Sequence, residues 1–397
     1  MKKGNVYIKY FLVIIAALIM AFFRIRNKDQ IKMVITGQSL IKVDPRKHWK
    51  NPFKTVVPVL KKADVAFTNF EMAVDENCGL PKNYNVVLGK PECKNGFPGN
   101  TNRPHAVNEN VMEYLSSINF KLMSLSNNHA WDLGNCGIKA TIKAAEKYGV
   151  VHAGTGLNIK DATDPGVINV KGVKIALIAA TTSKDKRSVV LAGQNRPGVN
   201  GVWTGWKQDW ERNINAVKEA KNKYDFVVFY QHFQIDQKDA QGNGKYEHKN
   251  VNDKFIWQEE FAKAVIDAGA DMYIAHGDRI FDGVEIYKGK PIFRQFGGFC
   301  YQGLKKPGMY DEKVWQGLLG KLVLKNKKII RMEFLPVSID EGTFEEYGKG
   351  PEFFEKRGFP TIVKNDLGLE ILKRFKKKSE KYGAKIEIEK YKAVIDL

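Results

Sequence analysis

Fourteen residues, 10–23 (YFLVIIAALIMAFF), form the longest apolar run in the chain. Lys2, Lys3 and Lys9 precede it, and Arg24, Arg26 and Lys28 lie just after it. At about 1.5 Å per residue the run reaches about 21 Å, short of the roughly 30 Å hydrocarbon core of a bilayer. Adding 6–8, with Lys9 snorkelling toward the headgroups, gives a just-sufficient span. A signal-peptide core is the competing reading, and the length suits it better. No small-x-small cleavage site surrounds Ala21, whose neighbours are Ile19, Met20, Phe22 and Phe23. The segment therefore reads as an uncleaved, single-pass N-terminal anchor in the cytoplasmic membrane. Basic residues flank both sides equally, so charge bias does not orient it.

Beyond residue 30 the apolar runs become short and alternate with helical spacing. Strands are predicted at 31–36, 65–68, 122–125, 150–153, 225–230 and 272–275. Runs at 167–170 and 173–180, separated by Lys171-Gly172, predict a hairpin. Helical periodicity appears at 107–118, at 138–148 with Gly149 closing the helix, and from Asn252 through Ala268. Residues 75–105 are rich in Pro, Gly and Asn and predict a long surface loop. Trp203, Trp206 and Trp210 suggest a packed insertion over 182–210, more for packing than as a ligand platform. Residues 284–335 look β-rich, and 364–392 predict a Lys-rich helical tail whose charges form a solvated face. This alternation implies an α/β class. Three segments are expected: an anchor at 1–29, a main domain at 30–340, and a C-terminal extension at 341–397 packed on it.

Charge narrows the partners. The chain of 397 residues holds 64 Lys+Arg against 44 Asp+Glu, a net charge of +20. Such a surface favours polyanions, either an acidic polymer, anionic lipid or nucleic acid. No nucleic-acid motif is present, and nucleic acid is not an expected partner. Four cysteines without a C-x-x-C pair exclude zinc ribbons and thioredoxin-like motifs. Cys78 and Cys93 bracket a short loop, and their pairing is expected over the alternatives if the chain is exported.

Chemistry-bearing side chains lie just past the predicted strand ends: Gln38, Glu71, Asn128-His129, His232 and His276. Open α/β sheets bind ligands at the carboxyl ends of their strands, so the joint pattern argues for a site. Taken singly, each could merely end its strand and cap the next helix.

The wording of these segments resembles a family. Asn69-Phe70-Glu71, Ser126-Asn127-Asn128-His129-Ala130-Trp131-Asp132-Leu133-Gly134 and Ala153-Gly154-Thr155-Gly156 carry it. So do His232-Phe233, Ala268-Gly269-Ala270-Asp271, and the stretch from Gly283 to Phe293 (GVEIYKGKPIF). Together they resemble the CapA/PgsA family of capsule and poly-γ-glutamate synthesis proteins over about residues 31–300. The resemblance implies a calcineurin-like metallophosphatase fold, an α/β-β-α sandwich tethered outside the cytoplasmic membrane. It also implies metal ligation by Glu71, Asn128 and His232, and acid or clamp chemistry at His129 with Asp132.

Departures from the family pattern bear on activity. Gly37-Gln38 stands where a Gly-Asp ends the first strand, and Gly277-Asp278-Arg279 replaces an H-P-H turn. Phe296-Gly297-Gly298-Phe299 stands for L-G-N-F. Two-metal hydrolysis needs bridging carboxylates and several imidazoles. The surviving set could hold one divalent ion weakly, and a two-metal centre is not expected. Arg279, His276 and Asn69 are expected to bind substrate or anion, with Arg279 placing a guanidinium where metal charge normally sits. A surface salt bridge is the alternative for Arg279, and loop ordering the alternative for His129 and His232. Two functions remain open. One is binding or helping export an acidic polymer beside membrane-embedded capsule proteins; the other is a metal-dependent phosphoesterase or hydrolase.

Overall fold

The structure, a computed structural model, describes residues 30–91, 103–183, 190–202, 207–234 and 252–397. The expected anchor, Cys93, Trp203 and Trp206 lie outside the described residues. Among the described residues no helix is long and apolar enough to cross a membrane.

The first ten strands are β1 (Gln30–Leu40), β2 (Val65–Phe70), β3 (Ala73–Val74), β4 (Ala106–Val107), β5 (Phe120–Ser124), β6 (Val151–Ala153), β7 (Thr155–Gly156), β8 (Gly166–Val170), β9 (Val173–Ser183) and β10 (Gly198–Val199). Then come β11 (Phe226–Gln234), β12 (Met272–His276), β13 (Val284–Tyr287), β14 (Lys290–Phe293), β15 (Gly298–Tyr301), β16 (Gln316–Lys325), β17 (Lys328–Ile339), β18 (Pro360–Ile362), β19 (Glu387–Glu389) and β20 (Lys392–Asp396). Helices are α1 (Val57–Lys61), α2 (Asn110–Ser117), α3 (Gly134–Lys147), α4 (Ile159–Thr163), α5 (Lys207–Lys223), α6 (Asn252–Asp267), α7 (Phe344–Tyr347), α8 (Pro351–Lys356) and α9 (Asp366–Glu380).

Two sheets carry the fold. The first runs β19-β20-β17-β16-β1-β2-β5-β6, with β15 beside β1 and β18 beside β17. The second runs β13-β14-β12-β11-β9-β8. Within them β1, β2, β5 and β6 are parallel, as are β9, β11, β12 and β14. Their apolar runs are nearly continuous because both faces of each strand are buried. In β9, Ile175, Leu177 and Ala179 face the core shared by the two sheets, together with Met33, Ile35 and Phe67. Ala176, Ile178 and Ala180 face the opposite way and pack with Val217 of α5 and Phe261 and Val265 of α6. On the far side of the first sheet Val34 and Phe70 meet Leu60 of α1, Leu115 of α2 and Ala144 of α3. The layers are therefore helix, sheet, sheet, helix, which is the expected α/β architecture.

Several expectations need correction. The insertion expected over 182–210 gives way at Lys207 to helix α5, hidden in the sequence because its charged residues outnumber its apolar ones. Its apolar side is a narrow stripe in which Trp210 packs edge-on against Trp257 and Phe261. The C-terminal helix stops at Glu380 rather than running to 392. Beyond it the chain forms β19 and β20, and β20 pairs antiparallel with β17. There Glu333 accepts from both Lys321 and Lys392, tying β16, β17 and β20 together. Lys171 and Gly172 both adopt positive φ, as a tight hairpin turn between β8 and β9 requires.

The disulfide expectation is also overturned: Cys78 is bonded to Cys136, 58 residues away, and Cys300 is a buried free thiol. Sequence proximity favours Cys93, but packing brings the start of α3 against the segment after β3. The Val74 amide donates to Thr141 Oγ1 of α3 at 2.9 Å, which sets that approach. Closing a loop of 58 residues is worth about 4 kcal/mol in the chain-entropy model. A Cys136→Ser variant should lose stability of that order in urea denaturation. Non-reducing peptide mapping should recover a Cys78–Cys136 peptide, and a Cys78–Cys93 peptide would refute the pairing.

Candidate functional site

Every parallel strand of both sheets ends at the same rim, and the polar residues collect there. Gln38 is in register with Asn69, Asn69 with Ser124, and His232 with His276. Close backbone approach makes this rim compact. A Cβ on Gly37 would meet Gly297 O at 2.4 Å, and one on Gly277, at φ +125°, would meet Phe233 O at 2.4 Å. Gln38 spends its Oε1 on the Gly277 amide at 3.1 Å. Its carbonyl stitches two strand ends together.

The loop after β5 is shaped by Asn127. Its Nδ2 donates to Phe70 O at 2.8 Å, and its Oδ1 accepts from the His129 amide at 2.9 Å. The same Nδ2 reaches Asn69 Oδ1 at 3.4 Å. Asn127 thus holds the β2 and β5 ends in fixed relation, and frees Asn128 for the site. His129 Nδ1 donates to Asp132 Oδ2 at 2.9 Å, while its Nε2 faces Asn128 Nδ2 at 3.2 Å. Asp132 Oδ2 also accepts from the His105 amide at 2.7 Å.

Glu71 Oε2, Asn128 Oδ1 and His232 Nε2 are buried without a hydrogen-bond partner, as are Asn69 Nδ2, His105 Nδ1 and Asp132 Oδ1. Glu71 Oε1 lies 3.9 Å from His232 Nε2. An unpaired buried acceptor costs about 1–3 kcal/mol, which a ligand that supplies the partner would offset. Carboxylate oxygen, amide oxygen and imidazole nitrogen are the donors that a divalent cation takes. These residues therefore fit one metal ion. Atoms of His105, His129 and Asp132 also lie within 4.8 Å of one another. That group is already a hydrogen-bonded chain, and ligation there would break the His129–Asp132 bond.

Burial dominates the electrostatics. It raises the Glu71 carboxyl to about 7, against the opposing fields of His129 and Arg279. Burial, then the field of His129, pushes His232 down to about 3. His105 and His276 fall well below the usual imidazole range, again chiefly through burial. His129 differs. Burial alone would depress it, yet the Asp132 carboxylate, joined by the field of Glu71, outweighs that and leaves it raised.

Placement of the other candidates is mixed. Arg279 lies over the rings of Tyr301 and Tyr310, 4.7 and 5.0 Å from their centroids, and its field reaches Glu71. Asn69 is fully buried, with Nδ2 unpaired. His276 is walled in by the rings of Phe67, Tyr230 and Phe296 and has no exposed surface. It faces the core between the sheets instead of the rim.

Two residues at the rim are not marked by the sequence pattern. His105 stacks on His129 with centroids 3.8 Å apart. It is carried there by β4, which pairs with β3 directly after Glu71. A histidine just before the Ala106-Val107 pair, in an otherwise irregular loop, is the available signal. Lys42 is 2% exposed and within the field of Asp132, pushed down to about 8 mainly by burial. Nothing in its neighbourhood in sequence marks it.

The His129–Asp132 pair yields a pH prediction. A histidine raised in the folded state stabilises the fold fully below the unfolded pKa, near 6.5, and that contribution is lost as pH rises through the folded pKa. An Asp132→Asn variant should lower the His129 pKa below 6.5, read by NMR titration of the imidazole. Its stability deficit relative to wild type should shrink as pH rises through the wild-type His129 pKa. An unchanged His129 pKa would contradict the assigned ion pair.

Comparison with known proteins identifies the family. The family described as "Bacterial capsule synthesis protein PGA_cap" matches residues 32–302. The chain is 27% identical to the "PGA biosynthesis protein CapA" of Bacillus subtilis, over 78% of this chain and 70% of that one. It is 26% identical to the "Capsule biosynthesis protein CapA" of Bacillus anthracis, over 73% and 62%. It is 22% identical to protein y4sH of Sinorhizobium fredii, over 91% and 92%. The matched region spans both sheets up to β15 and every strand end at the rim, so the chain belongs to the bacterial capsule synthesis (PGA_cap) family.

Proposed function

We propose that this capsule synthesis protein binds an acidic polymer of the poly-γ-glutamate type outside the cytoplasm. Residues 6–23 hold it on the membrane, beside membrane-embedded synthesis and export partners. The observation that carries the reading is the set of unpaired atoms on Glu71, Asn128 and His232. They would hold one divalent cation, which when bound supplies positive charge for a polymer carboxylate. Two substitutions favour a single ion: Gln38 is spent on a backbone amide, and Gly277-Asp278-Arg279 brings a guanidinium instead of imidazoles. Arg279 and the chain's +20 charge favour the same anionic partner. A disulfide between Cys78 and Cys136 is in keeping with an oxidising compartment.

A second reading, a hydrolase acting on an envelope polymer or its precursor, is favoured by the His129–Asp132 pair. In it His129 donates or takes a proton, and Asp132 fixes its tautomer.

Elemental analysis and polymer retention separate the two. Purified protein should carry one divalent ion per chain, lost in Glu71→Gln and His232→Ala. Retention of poly-γ-glutamate should fall on chelation and be restored by the metal. Two ions per chain, with phosphoester hydrolysis abolished in Glu71→Ala, would establish the hydrolase instead.

Export has its own test. Alkaline phosphatase fused after Leu397 should be active in cells and sediment with membranes. A mature chain beginning near residue 22 would overturn the anchor while leaving export intact.

A further inference from the structure

The parallel strands of both sheets begin at the pole opposite the rim, and β1 enters the fold there at Gln30. Backbone pairing gathers several turns around that entry. Gln30 stands opposite Lys325, at the end of β16. The Lys32 amide donates to Asp64 Oδ2 at 2.7 Å, and the Asp64 amide donates back to Lys32 O at 2.8 Å. Lys171, in the β8–β9 turn, donates through Nζ to Gln30 O at 3.0 Å and to Asp64 Oδ2 at 2.8 Å. Asp225, just before β11, accepts from the Lys174 amide at 2.8 Å and pairs with Lys327 of the β16–β17 turn at 2.7 Å.

The charge on this pole is one-sided. Lys32, Lys61, Lys62, Lys174 and Lys328 are exposed and Lys325 is half-buried. Among the described residues none of these six is in an ion pair, and the two aspartates between them are taken by Lys171 and Lys327. At the margin Asp267 and Asp271 are paired as well, with Lys288 and Lys221. The unpaired ammonium groups stand on the tips of separate turns, a spread that suits an extended anionic plane better than a small ligand. The sequence before Gln30 supplies such a plane. Seven residue steps separate it from the apolar run 10–23, at most about 25 Å when fully extended. A bilayer holding that run is therefore within reach of the pole, and Arg24, Arg26 and Lys28 add charge of the same sign between them.

We infer that this pole docks on an anionic phospholipid surface, its lysines against the headgroups and the rim turned away from the bilayer. β1 runs eleven residues from pole to rim, about 36 Å, so docking holds the candidate site about that far above the headgroups. The inference takes its membrane from the anchoring proposed above and adds the orientation. No residue of the rim takes part, so the polymer and cation readings can fail without it.

The test uses the full-length protein in nanodiscs of phosphatidylcholine, alone or with about 30% phosphatidylglycerol, with lysine acetylation by acetic anhydride followed by mass spectrometry. Retention on phosphatidylcholine discs reads the anchor, and the difference between the discs reads the docking. Lys61, Lys62 and Lys328 should acetylate at least about threefold more slowly on the anionic discs, a difference lost at about 0.5 M salt. Lys306 and Lys349, which follow the rim ends of β15 and β17, should acetylate alike on both. A Lys61→Gln, Lys62→Gln, Lys328→Gln triple variant changes only exposed side chains; it should melt as wild type does and lose most of the protection at Lys174. Protein that leaves phosphatidylcholine discs but stays on anionic ones would sink the anchor and support the docking. Equal acetylation on both discs, equal protection of the rim lysines, or stronger protection of the pole by soluble poly-γ-glutamate than by phosphatidylglycerol would overturn the inference.

Discussion

Burial of both faces of every central strand is the constraint on which the rest depends. A strand such as β9 or β11 has no polar side to offer, because one face meets the opposite sheet and the other meets helices. Polar side chains can then gather only where the strands stop. Both sheets place their parallel strands so that the stops share a rim, and β1 sits where the first sheet changes from parallel to antiparallel neighbours. The helices α2, α3, α5 and α6 add the outer cover and take no part in the rim. Its chemistry is therefore determined by a few residues at strand ends, on a rigid frame.

That rim is unusual in how many of its polar atoms lack partners. Some neighbours are fully satisfied: Asn127 uses both ends of its amide, and Gln38 engages the Gly277 amide. The contrast matters, because it shows the loops are held by dedicated residues and the unpaired atoms are not needed for that task. Stability alone would replace Glu71 with an apolar residue of similar volume. Retaining it, at the cost of a raised carboxyl pKa, is the pattern expected of a group that meets a ligand.

Much of the frame is legible in the sequence because doubly buried strands read as unbroken apolar runs. The seven parallel strands predicted from such runs, or from the hairpin, are all present within a few residues of the expected bounds. Where apolar residues are sparse the pattern fails. Helix α5 buries only a narrow stripe, and β19 and β20 are too short to show alternation before the Lys-rich helix outweighs them. The Cys78–Cys136 bond depends on tertiary packing, to which a loop-length argument is blind. Glu71, Asn128, His129 and His232 are visible because each lies at or just past a strand end. Lys42 and His105 are not, since one is placed by Gln302 from 260 residues away and the other by the β3–β4 pairing. His276 obeys the same strand-end rule as His232, but its ring faces the aromatic core.

Charge counting at the rim bears on the single cation proposed there. Two carboxylates, Glu71 and Asp132, stand within mutual influence, and Asp132 is already engaged by His129 and the His105 amide. Three cationic groups act on the same space: Arg279 and His129 on Glu71, and Lys42 on His129. A single divalent ion beside Glu71 offsets the cost of burying that carboxylate. A second ion would add two positive charges where Arg279, His129 and Lys42 already act, and would have to take Asp132 from His129. Arg279 adds positive potential at Glu71 while Gln38 adds no charge, which is the balance that the proposed anionic partner would meet.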